Sequence, residues 1–130
     1  MSEITTLLMF EGRAEEAMTL YTSLFADSEV LTISRYGPDG PGAEGSVVHA
    51  TFTLAGRTYG CMDSSQKHDF TFTPAVSLYV NCDTEDEIDR LYAALSDGGR
   101  PLMPLGDYGF SRKFGWTNDR FGVSWQLNCV

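Results

Sequence analysis

The chain has 130 residues, 42% of them hydrophobic and 21% charged, which is the usage of an ordinary compact domain and excludes wholesale disorder, a collagen-like fibre and a coiled-coil rod. Nine Lys and Arg stand against 18 Asp and Glu, so the formal charge is −9 and the field repels phosphate backbones and anionic headgroups; neither nucleic acid nor a membrane surface is expected as a partner. Cys61, Cys82 and Cys129 are widely spaced with no C-x-x-C pair, and no apolar run approaches the roughly 18 residues of a membrane span, so reduced thiols in a cytoplasmic protein without export or membrane segments are expected.

Ile4 to Phe10 reads as a strand that stops at the turn signal Glu11-Gly12. From Ala14 to Phe25 the positions Ala17, Leu20, Tyr21, Leu24 and Phe25 recur at steps of three and four, the stripe of an amphipathic helix. Ser28 to Tyr36 is a strand, and Gly37 to Gly45, with four glycines and two prolines, is a flexible loop that suits a mobile flap or a dimer contact. Val47 to Leu54 and Thr58 to Asp63 are strands joined by the tight turn Ala55-Gly56-Arg57. After a polar stretch the pattern restarts. Ala75 to Cys82 is a strand, Asp83-Thr84 caps a helix whose first turn is acidic, Ile88, Leu91, Tyr92 and Leu95 form its stripe, and Gly98-Gly99 ends it. Arg100 to Leu105, Phe110 or Ser111 to Thr117, and Val123 to Asn128 complete the strands.

Sliding the first half by 71 places Leu20 on Leu91, Tyr21 on Tyr92, Leu24 on Leu95 and the first strand on Ala75 to Asn81. The element order is the same in both halves, so an α+β fold of two βαβββ modules is expected, about 1–70 and about 71–130, in a single domain.

Alternation sorts each strand into two faces. Val48, Ala50, Phe52 and Leu54 oppose Val47, His49, Thr51 and Thr53; Val76, Leu78 and Val80 oppose Ser77, Tyr79 and Asn81; Val123, Trp125 and Leu127 oppose Ser124, Gln126 and Asn128. Thr6 is the polar candidate on the first strand, and Tyr59, Cys61 and Asp63 share one parity on the fourth. Such a mixed face is either washed by solvent or curls into a cleft where a few polar groups among aromatics such as Tyr59, Tyr79 and Trp116 orient a small molecule. His49 is either a hydrogen-bonding wall residue or a general base, with Asp63 or Tyr79 as its partner, and His68 reads as a loop residue. The acidic run Asp83 to Asp89 reads as a solvated helix start, and Arg112, Lys113 and Arg120 meet either an anionic ligand or surface acids.

Phe10-Glu11-Gly12-x-Ala14-Glu15-Glu16-Ala17, the strand Val48-His49-Ala50-x-Phe52, and the ending Phe114-Gly115-Trp116-x-x-Asp119-Arg120-Phe121-Gly122-Val123-x-Trp125 resemble the PhnB-like branch of the vicinal-oxygen-chelate superfamily, which carries the label 3-demethylubiquinone 3-methyltransferase-like. The resemblance implies paired βαβββ modules with curved sheets and a homodimer. Enzymatic members hold a divalent metal on the first, fourth, fifth and eighth strands. Laid on this chain, those positions give Thr6, Cys61 or Asp63, Ser77 and Gln126, too weak a set for a tight site. The expectation is a small organic ligand bound without cofactor or firmly held metal by Thr6, His49, Cys61, Ser77, Tyr79, Trp116 and Gln126, with His49 and Asp63 as candidate catalytic groups. A bleomycin-resistance-like binder of this charge suits a cationic ligand. The alternative is a lyase, isomerase or dioxygenase relative working with a weakly held divalent ion through Gln126, Asp63 and His49. Methyl transfer is disfavoured, because no glycine-rich loop opens a helix after the first strand as S-adenosylmethionine binding requires.

Overall fold

The computed structural model describes residues 2–130. Its elements are β1 (Thr6–Phe10), α1 (Ala14–Leu24), β2 (Glu29–Arg35), β3 (Val47–Leu54), β4 (Arg57–Asp63), β5 (Ser77–Cys82), α2 (Glu85–Ser96), β6 (Arg100–Gly106), β7 (Lys113–Asn118) and β8 (Ser124–Cys129). They form two compact units, residues 1–68 and 69–130. Each unit is a four-stranded mixed sheet, in the order β1-β4-β3-β2 or β5-β8-β7-β6, with its first strand parallel to its last and the remaining neighbours antiparallel. These are the two βαβββ modules, and moving α1 by 71 residues gives 85–95, nearly the whole of α2.

The two helices start differently. At α2 the Thr84 hydroxyl accepts from Glu87 N at 3.1 Å while Glu87 Oε1 accepts from Asp83 N at 2.9 Å, so donors without a helical acceptor are met locally. At α1 the residue before the helix is Arg13, which makes no side-chain cap. The carboxylate of Asp63, at the far end of β4, takes that place: Oδ1 accepts from Gly12 N at 2.8 Å and Ala14 N at 2.9 Å, and Oδ2 accepts from Val47 N at 2.9 Å. A negative charge there also complements the helix dipole.

In unit 1, Ala14, Ala17, Met18 and Tyr21 of α1 are buried with Leu8, Phe10, Ala50, Phe52, Leu54 and Cys61 of the sheet. In unit 2, Ile88, Leu91 and Leu95 of α2 are buried, as are Trp125 and Leu127 of the sheet. Full burial of each such side chain is worth about 1.5–3 kcal/mol, so these two helix–sheet layers supply the main driving force of their units. Gly115 makes close approach possible in unit 2, since a Cβ there would lie 2.6 Å from the Tyr92 ring.

Most strand boundaries lie within two residues of expectation, and two departures have clear causes. Val47 is buried rather than on the face of His49, because a register shift lets Ser34 pair with His49 and Arg35 with Val47, leaving Val48 as the extra residue of a bulge. The seventh strand begins at Lys113 instead of Phe110 or Ser111, so Phe110 belongs to the loop before it.

Candidate functional site

With a helix on one face of each sheet, the other face carries no element of its own unit, and its residues follow from the pairing register. In unit 1, Cys61 Sγ approaches Met18 Sδ of α1 at 3.9 Å, and Tyr59 stacks on buried Phe52 at 5.8 Å, so Tyr59, Cys61 and Asp63 belong to the helix side. Thr6 pairs with Tyr59 and shares the parity of Leu8 and Phe10, which puts it on the same side. The expected grouping of Thr6, Cys61 and Asp63 with His49 is therefore corrected. Their common parity is right, but it is the parity of the core, and the Asp63 carboxylate is committed to three backbone N–H groups rather than to His49. Burial, with the Asp63 charge added, pushes the Cys61 thiol up to about 12, which leaves it a poor nucleophile.

The open face of unit 1 consists of Leu7 and Met9 on β1, Gly60 and Met62 on β4, His49 and Thr51 on β3, and Thr32 and Ser34 on β2. Thr32 and Thr51 share a hydrogen bond of 2.6 Å. At the N-terminal end of α1 a separate hollow of about 260 Å³ is lined by Gly12, Gly42, Ser46, Ser64 and Lys67 among others. The 37–45 loop borders it and rests on Tyr36, whose ring would lie 2.7 Å from a Cβ at Gly42. His68 is a loop residue, with Nε2 at 2.9 Å from Ser64 Oγ.

In unit 2 the open face brings together Ser77 and Tyr79 of β5, Ser124 and Gln126 of β8, and Phe114 and Trp116 of β7. A polar chain runs across it: Gln126 Nε2 donates to Ser77 Oγ at 3.1 Å, Ser77 Oγ shares a 2.7 Å bond with Ser124 Oγ, and Trp116 Nε1 donates to Ser124 Oγ at 2.8 Å. One step along, Asn128 Nδ2 donates to Asn81 Oδ1 at 3.2 Å, while buried Asn128 Oδ1 has no hydrogen-bond partner among the described residues. Beside this row lies an aromatic cluster. Phe114 is surrounded by Phe110 at 5.0 Å, Tyr108 at 6.1 Å and Tyr79 at 6.4 Å between ring centroids, with Tyr108 stacked on Phe110. Phe114 is buried, whereas Tyr79, Tyr108 and Phe110 are 53%, 41% and 62% exposed, an aromatic surface that costs free energy while it stays wet.

Sequence reading places Ser77, Tyr79, Trp116 and Gln126 among the ligand candidates, and the structure sets these four on one face. Sequence reading also puts Asn81 on this face, but it does not anticipate Tyr108, Phe110 or Phe114 beside it. The available signal was the run Gly106-Asp107-Tyr108-Gly109-Phe110, where exposed rings stand in a glycine-rich loop instead of a strand. Arg112, Lys113 and Arg120 face surface acids: Arg112 Nε meets Glu85 at 3.5 Å, Lys113 Nζ meets Asp89 at 2.8 Å and Arg120 Nη2 meets Asp97 at 3.4 Å.

The closing sequence motif is explained by Asp119. Its Oδ1 accepts from Phe121 N at 2.9 Å and Val123 N at 3.0 Å, and its Oδ2 accepts from Trp125 Nε1 at 2.9 Å, which locks the β7–β8 turn. Gly122, at φ +91, supplies the left-handed residue that turn needs.

A family model described as 3-demethylubiquinone-9 3-methyltransferase matches residues 2–128. The chain belongs to this PhnB-like family. Among solved structures, a PhnB protein from Bacillus cereus whose description carries the same methyltransferase name is 61% identical, with 99% of this chain and 100% of that one covered and a TM-score of 0.97. A protein from Pseudomonas aeruginosa is 28% identical over 99% of this chain and 98% of its own, with a TM-score of 0.84. A glyoxylase/bleomycin resistance protein/dioxygenase domain from Frankia shares the fold, at 13% identity, coverage of 99% and 92%, and a TM-score of 0.65. No curated protein matches. The chain thus joins membership of the PhnB-like family to a glyoxalase/bleomycin-resistance-like fold.

The divalent metal that the sequence resemblance implies can be tested against the donors present. On β1 and β4 the open face of unit 1 offers Leu7, Met9, Gly60 and Met62; on β5 and β8 that of unit 2 offers hydroxyls and amides. No group of three or more His, Cys, Asp or Glu among the described residues is arranged to hold a metal ion. This donor set does not fit a firmly held divalent ion, which calls for carboxylates, imidazoles or thiolates.

Proposed function

We propose that this protein binds a small, flat and preferentially cationic organic molecule on the open face of unit 2, without a firmly held divalent metal. The observation that carries this reading is the cluster of Tyr79, Tyr108, Phe110 and Phe114 beside the Gln126–Ser77–Ser124–Trp116 hydrogen-bond chain. Exposed rings supply stacking area, and the adjacent hydroxyls and amides supply orientation. No carboxylate or ammonium belongs to the row, so recognition of charge would come from ring faces and from the overall charge of −9, both of which favour a cation. In the same reading the protein is a cytoplasmic homodimer, in keeping with three free cysteines and with the resemblance noted from sequence.

Methyl transfer has no support in the site. No glycine-rich loop opens α1 after β1 as S-adenosylmethionine binding requires, and the Gly12 and Ala14 N–H groups at that turn are taken by Asp63. The test is a thermal-shift screen of planar aromatic cations against anionic compounds of the same shape. A ligand that binds only the native state raises the melting temperature by mass action. Cations are expected to stabilise, and replacing the exposed rings together (Tyr79→Ser with Phe110→Ser) should weaken binding by about five- to thirtyfold. Stabilisation by neither class, or a double variant that binds like the parent, overturns the proposal.

A further inference from the structure

Unit 1 carries a row of side chains that the ligand reading leaves unused. Met9 of β1 pairs with Met62 of β4 in the parallel ladder, and the antiparallel ladder joining Ala50 to Cys61, continued by one residue, brings His49 opposite Met62. Their chain neighbours Leu8, Cys61 and Ala50 form the buried row on the helix side, so alternation puts Met9, Met62 and His49 together on the open face. Neighbouring strands lie about 4.8 Å apart, which makes thioether, thioether and imidazole consecutive neighbours across three strands.

Gly60, one open-face position along β4 from Met62, has no side chain of its own, and its neighbours fill the space above it. A Cβ there would lie 3.2 Å from Leu7 Cδ1 and 3.6 Å from His49 Nε2, so the imidazole leans across the glycine toward β4. Both methionines are half-buried, and His49 is exposed. The His49 side chain makes no hydrogen bond or ion pair among the described residues, and its ring is not tied to another task.

Two thioethers and an imidazole are neutral, soft to borderline donors. They are poor ligands for Mg²⁺, Ca²⁺ or Mn²⁺ and good ones for a d¹⁰ monovalent ion, and the single positive charge such an ion brings is welcome on a chain of charge −9. We propose that Met9, Met62 and His49 form a binding site for a soft monovalent cation, Cu(I), for which Ag(I) is a stable probe. The site lies within unit 1 and does not depend on the ligand proposed for unit 2.

The experiment uses the full chain with ¹³C-methyl-labelled methionine, titrated with Ag(I) and then, without oxygen, with Cu(I) in competition with a chromophoric chelator. At one equivalent the methyl resonances of Met9 and Met62 should move while those of Met18 and Met103 stay in place. Met9→Leu with Met62→Leu, which conserves volume, should weaken binding by about a hundredfold, as should His49→Gln; even outer-shell partners of a metal are worth about ten- to a hundredfold. Metal taken up by the cysteines with the Met9 and Met62 methyls unmoved overturns the site. So does an unchanged affinity in the double leucine variant, or an absence of binding by the parent protein.

Discussion

Asp63→Ala tests the assignment of this residue to structure. The substitution leaves Gly12 N, Ala14 N and Val47 N without the carboxylate that now accepts from them at 2.8, 2.9 and 2.9 Å. A hydrogen bond to a charged group is worth about 1.5–3 kcal/mol, and a buried donor left unpaired costs about 1–3 kcal/mol. The bonds to Ala14 and Val47 are buried, whereas the one to Gly12 is only partly so and its donor can turn to water. Two buried donors therefore dominate, and the expected loss is about 3–5 kcal/mol, a large share of the roughly 5–15 kcal/mol typical of a folded domain. Asp63→Asn keeps one acceptor but turns an NH₂ toward one of the donors, so an intermediate loss of about 1–3 kcal/mol is expected. Urea denaturation of the three proteins measures both values, and amide hydrogen exchange should show Ala14 and Val47 losing protection first. If Asp63→Ala unfolds within about 1 kcal/mol of the parent, the carboxylate is not what anchors α1, and a role for it elsewhere must be reconsidered.

Three further outcomes follow from burial and close packing. Burial, first, with nearby acids adding to it, lifts the thiols of Cys61 and Cys82 from 9.0 to about 12. Alkylation of the native protein near pH 8 should therefore be about a thousandfold slower at these residues than in the unfolded chain. Because the native state keeps protons that the unfolded chain gives up near 9, stability should fall as pH climbs from about 9 toward 12, as alkaline denaturation midpoints will show. At Gly99 a Cβ would lie 2.1 Å from the carbonyl oxygen of Asn118, a backbone atom that cannot swing aside. Gly99→Ala should cost about 1–3 kcal/mol in urea denaturation, whereas Gly37→Ala, with nothing within 4 Å of its Cβ, should stay within about 0.5 kcal/mol; equal effects would refute the packing argument.

The helices show which parts of the fold can be read from sequence. The start of α2 is written within five successive positions, at Asp83, Thr84 and Glu87, and was legible. The start of α1 depends on Asp63, 51 residues after Gly12, and no local pattern reveals that. The same fact explains the misplaced side chains. Alternation correctly groups Tyr59, Cys61 and Asp63, but a carboxylate in the group suggested a wet face, when its polarity is satisfied inside the core by backbone donors. Val47 was misread because a bulge changes the two-residue period, and bulges leave little trace in composition. On β5 and β8 no bulge intervenes and the strands are strictly in register from Ser77 opposite Ser124 to Cys82 opposite Cys129, so faces sorted by period two agree with the structure. The rings of Tyr108 and Phe110 escaped notice because a loop has no period from which to infer where a side chain points.

Side-chain amide NMR of ¹⁵N-labelled protein, titrated with an N-methylquinolinium salt as a planar cationic probe, bears most directly on the proposed binding face. The resonances of Gln126, Asn81 and Asn128 should shift together and saturably, while Gln66 in unit 1 stays still. Shifts scattered over the acidic surface without saturation, or confined to unit 1, would contradict the assignment of ligand binding to the aromatic face of unit 2.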